Sequence, residues 1–298
     1  MLKHSLTVAI AIYCMTGCAS SSQGTTKGLP EPVSSSPVFS EPPTRNTPTS
    51  RATWRINPVA EAEKYSSVLT TQIQQTGNSG KQDSLTVTTL YSVSIDRATD
   101  VTSLTGKIEA FTVQAGEQIG SSASEIQSPV FFSGKFTGQE LELESLTSTN
   151  HTYSLTCDDV SLTSLATVYR NTFISPLEIF SGQTWQDSTS YTVCSGSLPL
   201  SVVSIRNYRL AGETILDGIP ALIISQNEKT FSRGEGSQGQ HKILVEARGT
   251  TTRRLYLYRN SGILLSSSAD SKTMLSIRTS GRVENFVEIS KENTTRQK

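Results

Sequence analysis

Alternation at period two is the feature that most constrains this chain. From Leu85 to Arg97, the residues Val87, Thr89, Tyr91, Val93 and Ile95 fall on one side of an extended chain, the pattern of a half-buried strand. Ile243, Val245 and Ala247 alternate with Lys242, Glu246 and Arg248. Leu141, Leu143 and Ser145 are opposed by Glu140, Glu142 and Glu144, so those three carboxylates share one outward face. No stretch has the Ala/Leu/Glu/Lys texture of a long helix.

Further β runs follow. Thr102–Val113 carries Leu104, Ile108 and Phe111, and Val130–Leu146 is interrupted at Gly134 and Gly138. Asn57–Gln74 admits two readings. Asn57 and Pro58 suit the start of a helix, whereas Thr70, Thr71 and the lack of an Ala/Leu stripe favour a strand from Tyr65. The strand is the preferred reading. Ala115–Ser128 reads as a polar loop and Ser161–Tyr169 as a short helix. In the C-terminal part, Val202–Leu210 and Ile219–Ser225 flank Gly212 and Asp217-Gly218. Asp-Gly between apolar runs is a strong hairpin signal. Leu255–Arg259, Ile263–Ser267, Met274–Thr279 and Val283–Ile289 follow, separated by expected turns at Gly249, Asn260-Ser261-Gly262, Asp270 and Gly281. The pattern predicts an all-β or β-dominated domain over 54–290: a strongly curved antiparallel meander, an open or half barrel, with few short helices. Tyr91, Phe111, Trp185 and Phe286 are candidates to fill its concavity.

Composition narrows the function. The 298 residues carry 26 basic and 26 acidic groups, 17% charged in all. That excludes a polytopic membrane protein and a coiled coil, and a nucleic-acid partner, which calls for a basic excess. Histidines at 4, 151 and 241 do not make a metal cluster, and no motif names a cofactor. Residues 51–200 hold 8 basic and 15 acidic groups, and residues 201–298 hold 15 and 9. The halves carry opposite charge, which suits either internal complementarity or an anionic partner. Arg248, Arg253, Arg254 and Arg259 gather around one expected hairpin and form a candidate patch for lipid headgroups, cell-wall polymer or an acidic envelope protein.

The N-terminus speaks to location. Lys3 precedes a short apolar core, Leu6 and Val8 to Tyr13, too short to span a bilayer and laid out as a secretory signal peptide. Met15-Thr16-Gly17-Cys18 resembles a bacterial lipobox. The resemblance implies removal of residues 1–17 and acylation of Cys18, so that fatty acyl chains of the palmitate type hold the protein on a membrane. Ala19 and Ser20 follow, with no aspartate after the cysteine. In the lipobox pattern this implies the outer membrane of the cell envelope, facing the periplasm or the surface. Residues 18–53 form a Ser/Thr/Pro-rich disordered linker, and 291–298 a disordered tail. A transmembrane barrel is disfavoured by the lipobox and by charges on both strand faces, such as Arg206 with Arg209.

Once Cys14 is cleaved off and Cys18 acylated, Cys157 and Cys194 remain, which in an oxidising compartment predicts one disulfide. Thr230–His241 is glycine-rich and polar, and reads as a long hairpin turn. Arg233, Glu235, Gln238 and His241 within it are the candidate ligand or partner contacts. No catalytic constellation can be drawn: Ser195-Gly196-Ser197 is not a nucleophile elbow, and Asp158-Asp159 matches no calcium loop.

The layout resembles the Lol-type lipoprotein carriers and receptors, and Tyr208–Ala221 resembles a strand-turn-strand phrase of bacterial surface lipoproteins. The Lol resemblance implies a curved sheet that holds acyl chains in its concavity. The sequence therefore predicts a non-enzymatic, membrane-anchored binding or interaction module. A carrier of an apolar ligand is the main alternative and an envelope hydrolase a lesser one.

Overall fold

The computed structural model describes residues 52–76, 82–97, 101–115, 129–137, 140–153, 172–195, 198–238 and 241–298. They form fourteen strands and no helix. β1 (Thr53–Arg55) pairs with β8 (Glu178–Phe180) in a two-stranded ribbon. The other strands are β2 (Glu63–Gln75), β3 (Gln82–Arg97), β4 (Thr102–Ala115), β5 (Val130–Thr137), β6 (Glu140–Ser148), β7 (His151–Thr152), β9 (Thr184–Ser195), β10 (Leu198–Leu216), β11 (Ile219–Gln238), β12 (His241–Tyr258), β13 (Leu264–Thr279) and β14 (Arg282–Arg296). They make one antiparallel 12-stranded sheet in the order β7-β6-β5-β4-β3-β2-β14-β13-β12-β11-β10-β9. Two sequential meanders, β2 to β7 and β9 to β13, are joined by the last strand, which pairs with β13 on one side and β2 on the other.

The sheet is open. Among the described residues no ladder joins its β7 and β9 edges, and it is not strongly curled. This corrects the expected strongly curved open or half barrel with few short helices. The burial expected from curvature is supplied in part by a cover. Ile56, Ile179, Trp54 and Phe173, on and beside the β1–β8 ribbon, pack on Tyr208, Leu210, Leu222, Ile224, Leu255 and Leu257 of the sheet. The cover is fixed at both halves. Asn57 donates its backbone N–H to the Asn260 carbonyl at 2.8 Å. Arg97 at the end of β3 donates from Nη2 to the Ser175 carbonyl at 2.6 Å.

Strand Tyr65–Gln74 is found within β2, and the helix alternative at 57–74 falls away. Asp217-Gly218 turns β10 into β11 with positive φ at both residues (50° and 81°), as a tight type I′ turn needs. Three expected breaks are not breaks. Gly249 and Asp270 lie inside β12 and β13, and Thr230–Gln238 is ladder, with β11 paired residue by residue to β12 up to Gln238↔His241. The glycines there serve close packing. A Cβ on Gly234 would stand 2.4 Å from the Leu200 side chain, one on Gly236 2.5 Å from Leu198, and one on Gly249 2.5 Å from Thr230 Oγ1. β14 also runs to Arg296, which corrects the expected domain end at 290 and the disordered tail. Glu292 and Thr294 continue the buried face, and their strand is paired on both sides.

The expected Ala115–Ser128 loop beyond Ala115, the Ser161–Tyr169 helix, Asp158-Asp159, the signal peptide with Cys18, and nearly all of the linker lie outside the described residues. So does Cys157. Cys194 sits in β9 opposite Pro199. No pair of cysteines stands at disulfide distance among the described residues, and the expected Cys157–Cys194 bond is withdrawn. The ladder on β10 and the apolar cluster that takes in Val193 hold β9 in place.

Candidate functional site: a charged belt on the buried face

One face of the sheet is buried, and its apolar residues fall into three groups. The first, on β2 to β6, includes Tyr65, Tyr91, Leu104, Ile108, Phe111, Phe132 and Leu146. The second lies under the cover. The third includes Leu200, Ile243, Val245, Leu275, Ile277 and Phe286. Between the second and third the same face turns polar, because the alternation continues through residues of another kind.

Register defines this belt row by row. One row reads Trp185, Tyr208, Gln226, Arg253, Ala269 and Glu292 across β9 to β14. The next reads Asp187, Arg206, Glu228, Thr251, Ser271, Ser290 and Thr71. Within it, Arg206 grips Asp187 with both prongs of its guanidinium, Nε to Oδ1 at 2.7 Å and Nη2 to Oδ2 at 3.0 Å, the strong planar geometry. Tyr208 donates its hydroxyl to the same carboxylate at 3.2 Å. Glu228 accepts from Ser204 Oγ at 2.6 Å and from Gln226 Nε2 at 3.3 Å. Arg253 reaches over Ala269 to Glu292 at 2.9 Å, and Ser67 donates to the other oxygen of that carboxylate at 3.2 Å. Thr71 with Ser290 and Thr251 with Ser271 close the hydroxyl pairs at 3.0 and 2.9 Å.

Aromatic rings flank one end of the belt. Trp185 and Tyr208 stack at 5.2 Å between centroids, and Phe173 from the cover meets Tyr208 at 5.4 Å. Burial pushes the Tyr208 phenol well above its ordinary range; Arg206 pulls it down and Asp187 pushes it up. Burial does the same to Tyr65 and Tyr91, with Glu63 adding to the first and Glu292 to the second. For Arg206, burial works against the charge, but Tyr208, Asp187 and Glu228 outweigh it and hold the guanidinium above its usual value.

The residues singled out in the sequence do not converge. Arg233 is exposed on the opposite face and pairs with Glu235 and Glu246. Gln238 ends β11 opposite His241, whose Nδ1 lies 2.7 Å from Ser280 Oγ. Arg248 and Arg254 are exposed on the outer face, Arg253 is buried on the inner one, and Arg259 reaches Glu213 at 3.4 Å. The four arginines are therefore not one patch: consecutive strand residues point to opposite faces. Among the described residues, no three His, Cys, Asp or Glu side chains gather as a metal site, and no helix is long and apolar enough to cross a membrane. The belt went unread in the sequence because its residues are scattered over seven strands, β9 to β14 and β2. Its one local trace is Ser204-x-Arg206-x-Tyr208, where an apolar face continues in polar residues.

No family model matches the chain, and no curated protein matches it. Solved structures match loosely. OccK2 (OpdF) of Pseudomonas aeruginosa is 8% identical over 83% of this chain and all of its own, with a TM-score of 0.25. A mutant of the Rh. blastica porin is 8% identical over 78% of this chain and 99% of its own, at 0.18. A DUF1329 family protein from Desulfovibrio piger is 11% identical over 77% of this chain and 84% of its own, at 0.13.

Proposed function

We propose that this chain is an exported protein of the bacterial cell envelope, anchored through acylated Cys18, whose β domain is a non-enzymatic binding or interaction module. The lipobox-like Met15–Cys18 and the Ser/Thr/Pro-rich linker support the anchoring half of the reading. One structural observation supports the module over an acyl carrier. Asp187–Arg206, Glu228 and Arg253–Glu292 lie across the buried face between two of its apolar groups. An acyl chain laid along that face would have to lie against these charged, hydrogen-bonded groups, which interrupt the apolar surface it needs. Aromatics fill much of the remaining space: Tyr91, Phe111 and Phe286 are buried in the core, and Trp185 packs against it.

Mass spectrometry tests both halves. The membrane fraction is expected to yield a polypeptide beginning at an acylated Cys18, and Cys18→Ser is expected to move the protein to the soluble fraction. Native spectra of the protein from its own host are expected to show no further lipid. A stoichiometric non-covalent lipid would restore the carrier.

A further inference from the structure

The outer face of the sheet carries a second ordered array. One row across β10 to β14 reads Val203, Phe231, Arg248, Met274 and Val287, each residue directly opposite the next. The neighbouring row reads Ile205, Lys229, Thr250, Lys272 and Ile289. Phe231 is 45% exposed, Met274 65%, Val203 42% and Ile289 47%. Lys229, Arg248 and Lys272 are exposed and carry no ion pair among the described residues. The nearby carboxylates are engaged elsewhere: Glu246 by Arg233 and Arg278, each at 3.7 Å, and Asp270 by Lys291 at 3.9 Å. Three unmatched cations are thus interleaved with four exposed apolar side chains over about 19 Å, four strand spacings.

We propose that this face lies on the anionic headgroup layer of a bilayer, with the apolar side chains dipping among the headgroups and Lys229, Arg248 and Lys272 meeting phosphates. Two arguments choose a membrane over an acidic protein. Cores of protein–protein interfaces are depleted in charge, whereas here the cations sit among the apolar residues, the mixture of surfaces that lie at a bilayer interface. Attachment through Cys18 would also hold the domain at the bilayer and raise its effective concentration there. This second argument rests on the anchoring reading above. The first does not.

The test separates the two. Full-length protein with Cys18→Ser, which has no acyl chain, is floated with vesicles of phosphatidylcholine alone and of phosphatidylcholine mixed with phosphatidylglycerol. Binding is expected only to the anionic vesicles, falling as salt rises. Each cation near a charged surface contributes about fivefold in affinity, so Lys229→Gln/Arg248→Gln/Lys272→Gln is expected to weaken binding on the order of a hundredfold. Phe231→Ser/Met274→Ser removes the apolar contribution and is expected to weaken binding with the salt dependence kept. All five side chains are exposed, and circular dichroism confirms that each variant is folded. The proposal is overturned if the Cys18→Ser protein ignores anionic vesicles, or if neither variant changes its binding. Retention on polyglutamate without flotation also overturns it, in favour of an acidic partner. Failure to find acylated Cys18 in the native protein would sink the anchoring reading and leave this vesicle result standing.

Discussion

Arg253 and Glu292 sit two strands apart and meet because Ala269 lies between them. A methyl group in that row lets the guanidinium cross, and it is buried with its carboxylate. Buried pairs of this kind are costly to break and cheap to replace. Glu292→Ala is expected to destabilise the domain by about 3–5 kcal/mol, whereas Arg253→Met combined with Glu292→Leu is expected to come close to wild type. Urea unfolding midpoints of the two variants decide the matter, and equal losses would show that the pair is not the unit. The buried phenols give a pH signature. Tyr65, Tyr91 and Tyr208 are raised in the folded state, so the unfolded chain loses these protons first. Their contribution is complete below the ordinary phenol value of about 10 and is lost as pH rises past it. An alkaline titration followed by phenolate absorbance is expected to show these three lagging until the domain unfolds. Titration of every tyrosine before loss of the β signal would refute it.

At the scale of elements, glycine carries two different meanings here. Gly218 and Gly281 have φ of 81° and 88° in tight turns, with Asp217 and Ser280 before them also at positive φ. Gly234, Gly236 and Gly249 are extended strand residues whose missing Cβ makes room for a neighbour. Gly249→Val is therefore expected to fail by overpacking, between Thr230 Oγ1 at 2.5 Å and Thr273 Oγ1 at 2.9 Å from the new Cβ. The expected loss is about 1–3 kcal/mol. Shortening the neighbours, as Thr230→Ala with Thr273→Ala, is expected to recover part of it. Gly281→Val has open space around its Cβ, so its penalty is backbone strain of about 1–3 kcal/mol that no neighbouring substitution relieves. Midpoints of the single and combined variants separate the two mechanisms.

For the whole molecule, β14 is the strand on which the architecture depends. It joins the two meanders, and its pairing brings Arg296 opposite Tyr65 across nearly the whole domain. Until it is made, the sheet exists as two separate pieces with exposed edges. Deleting residues 282–298 is expected to leave a chain that is readily proteolysed and lacks a cooperative transition, whereas deleting only 297–298 is expected to be neutral. Limited proteolysis and thermal melts distinguish these outcomes.

Much of this was legible locally. Period two placed strands at Leu85–Arg97 and Ile243–Ala247, and Asp217-Gly218 marked its hairpin, because a side chain's facing and a turn's φ values are set within a few residues. The same local rules misread Gly249, Asp270 and Thr230–His241 as breaks, since a glycine that turns the chain and one that admits a neighbour look alike without that neighbour. They also grouped Arg253 with Arg248, Arg254 and Arg259, although it faces the other way. What only the tertiary structure decided was register: β14 between β2 and β13, Ala269 between Arg253 and Glu292, Phe231 beside Arg248 and Met274. These pairings join residues tens to hundreds of positions apart. Their energy comes from surfaces that exist only once the strands lie side by side, so the sequence by itself determined the strands, and the assembled sheet determined which side chains meet.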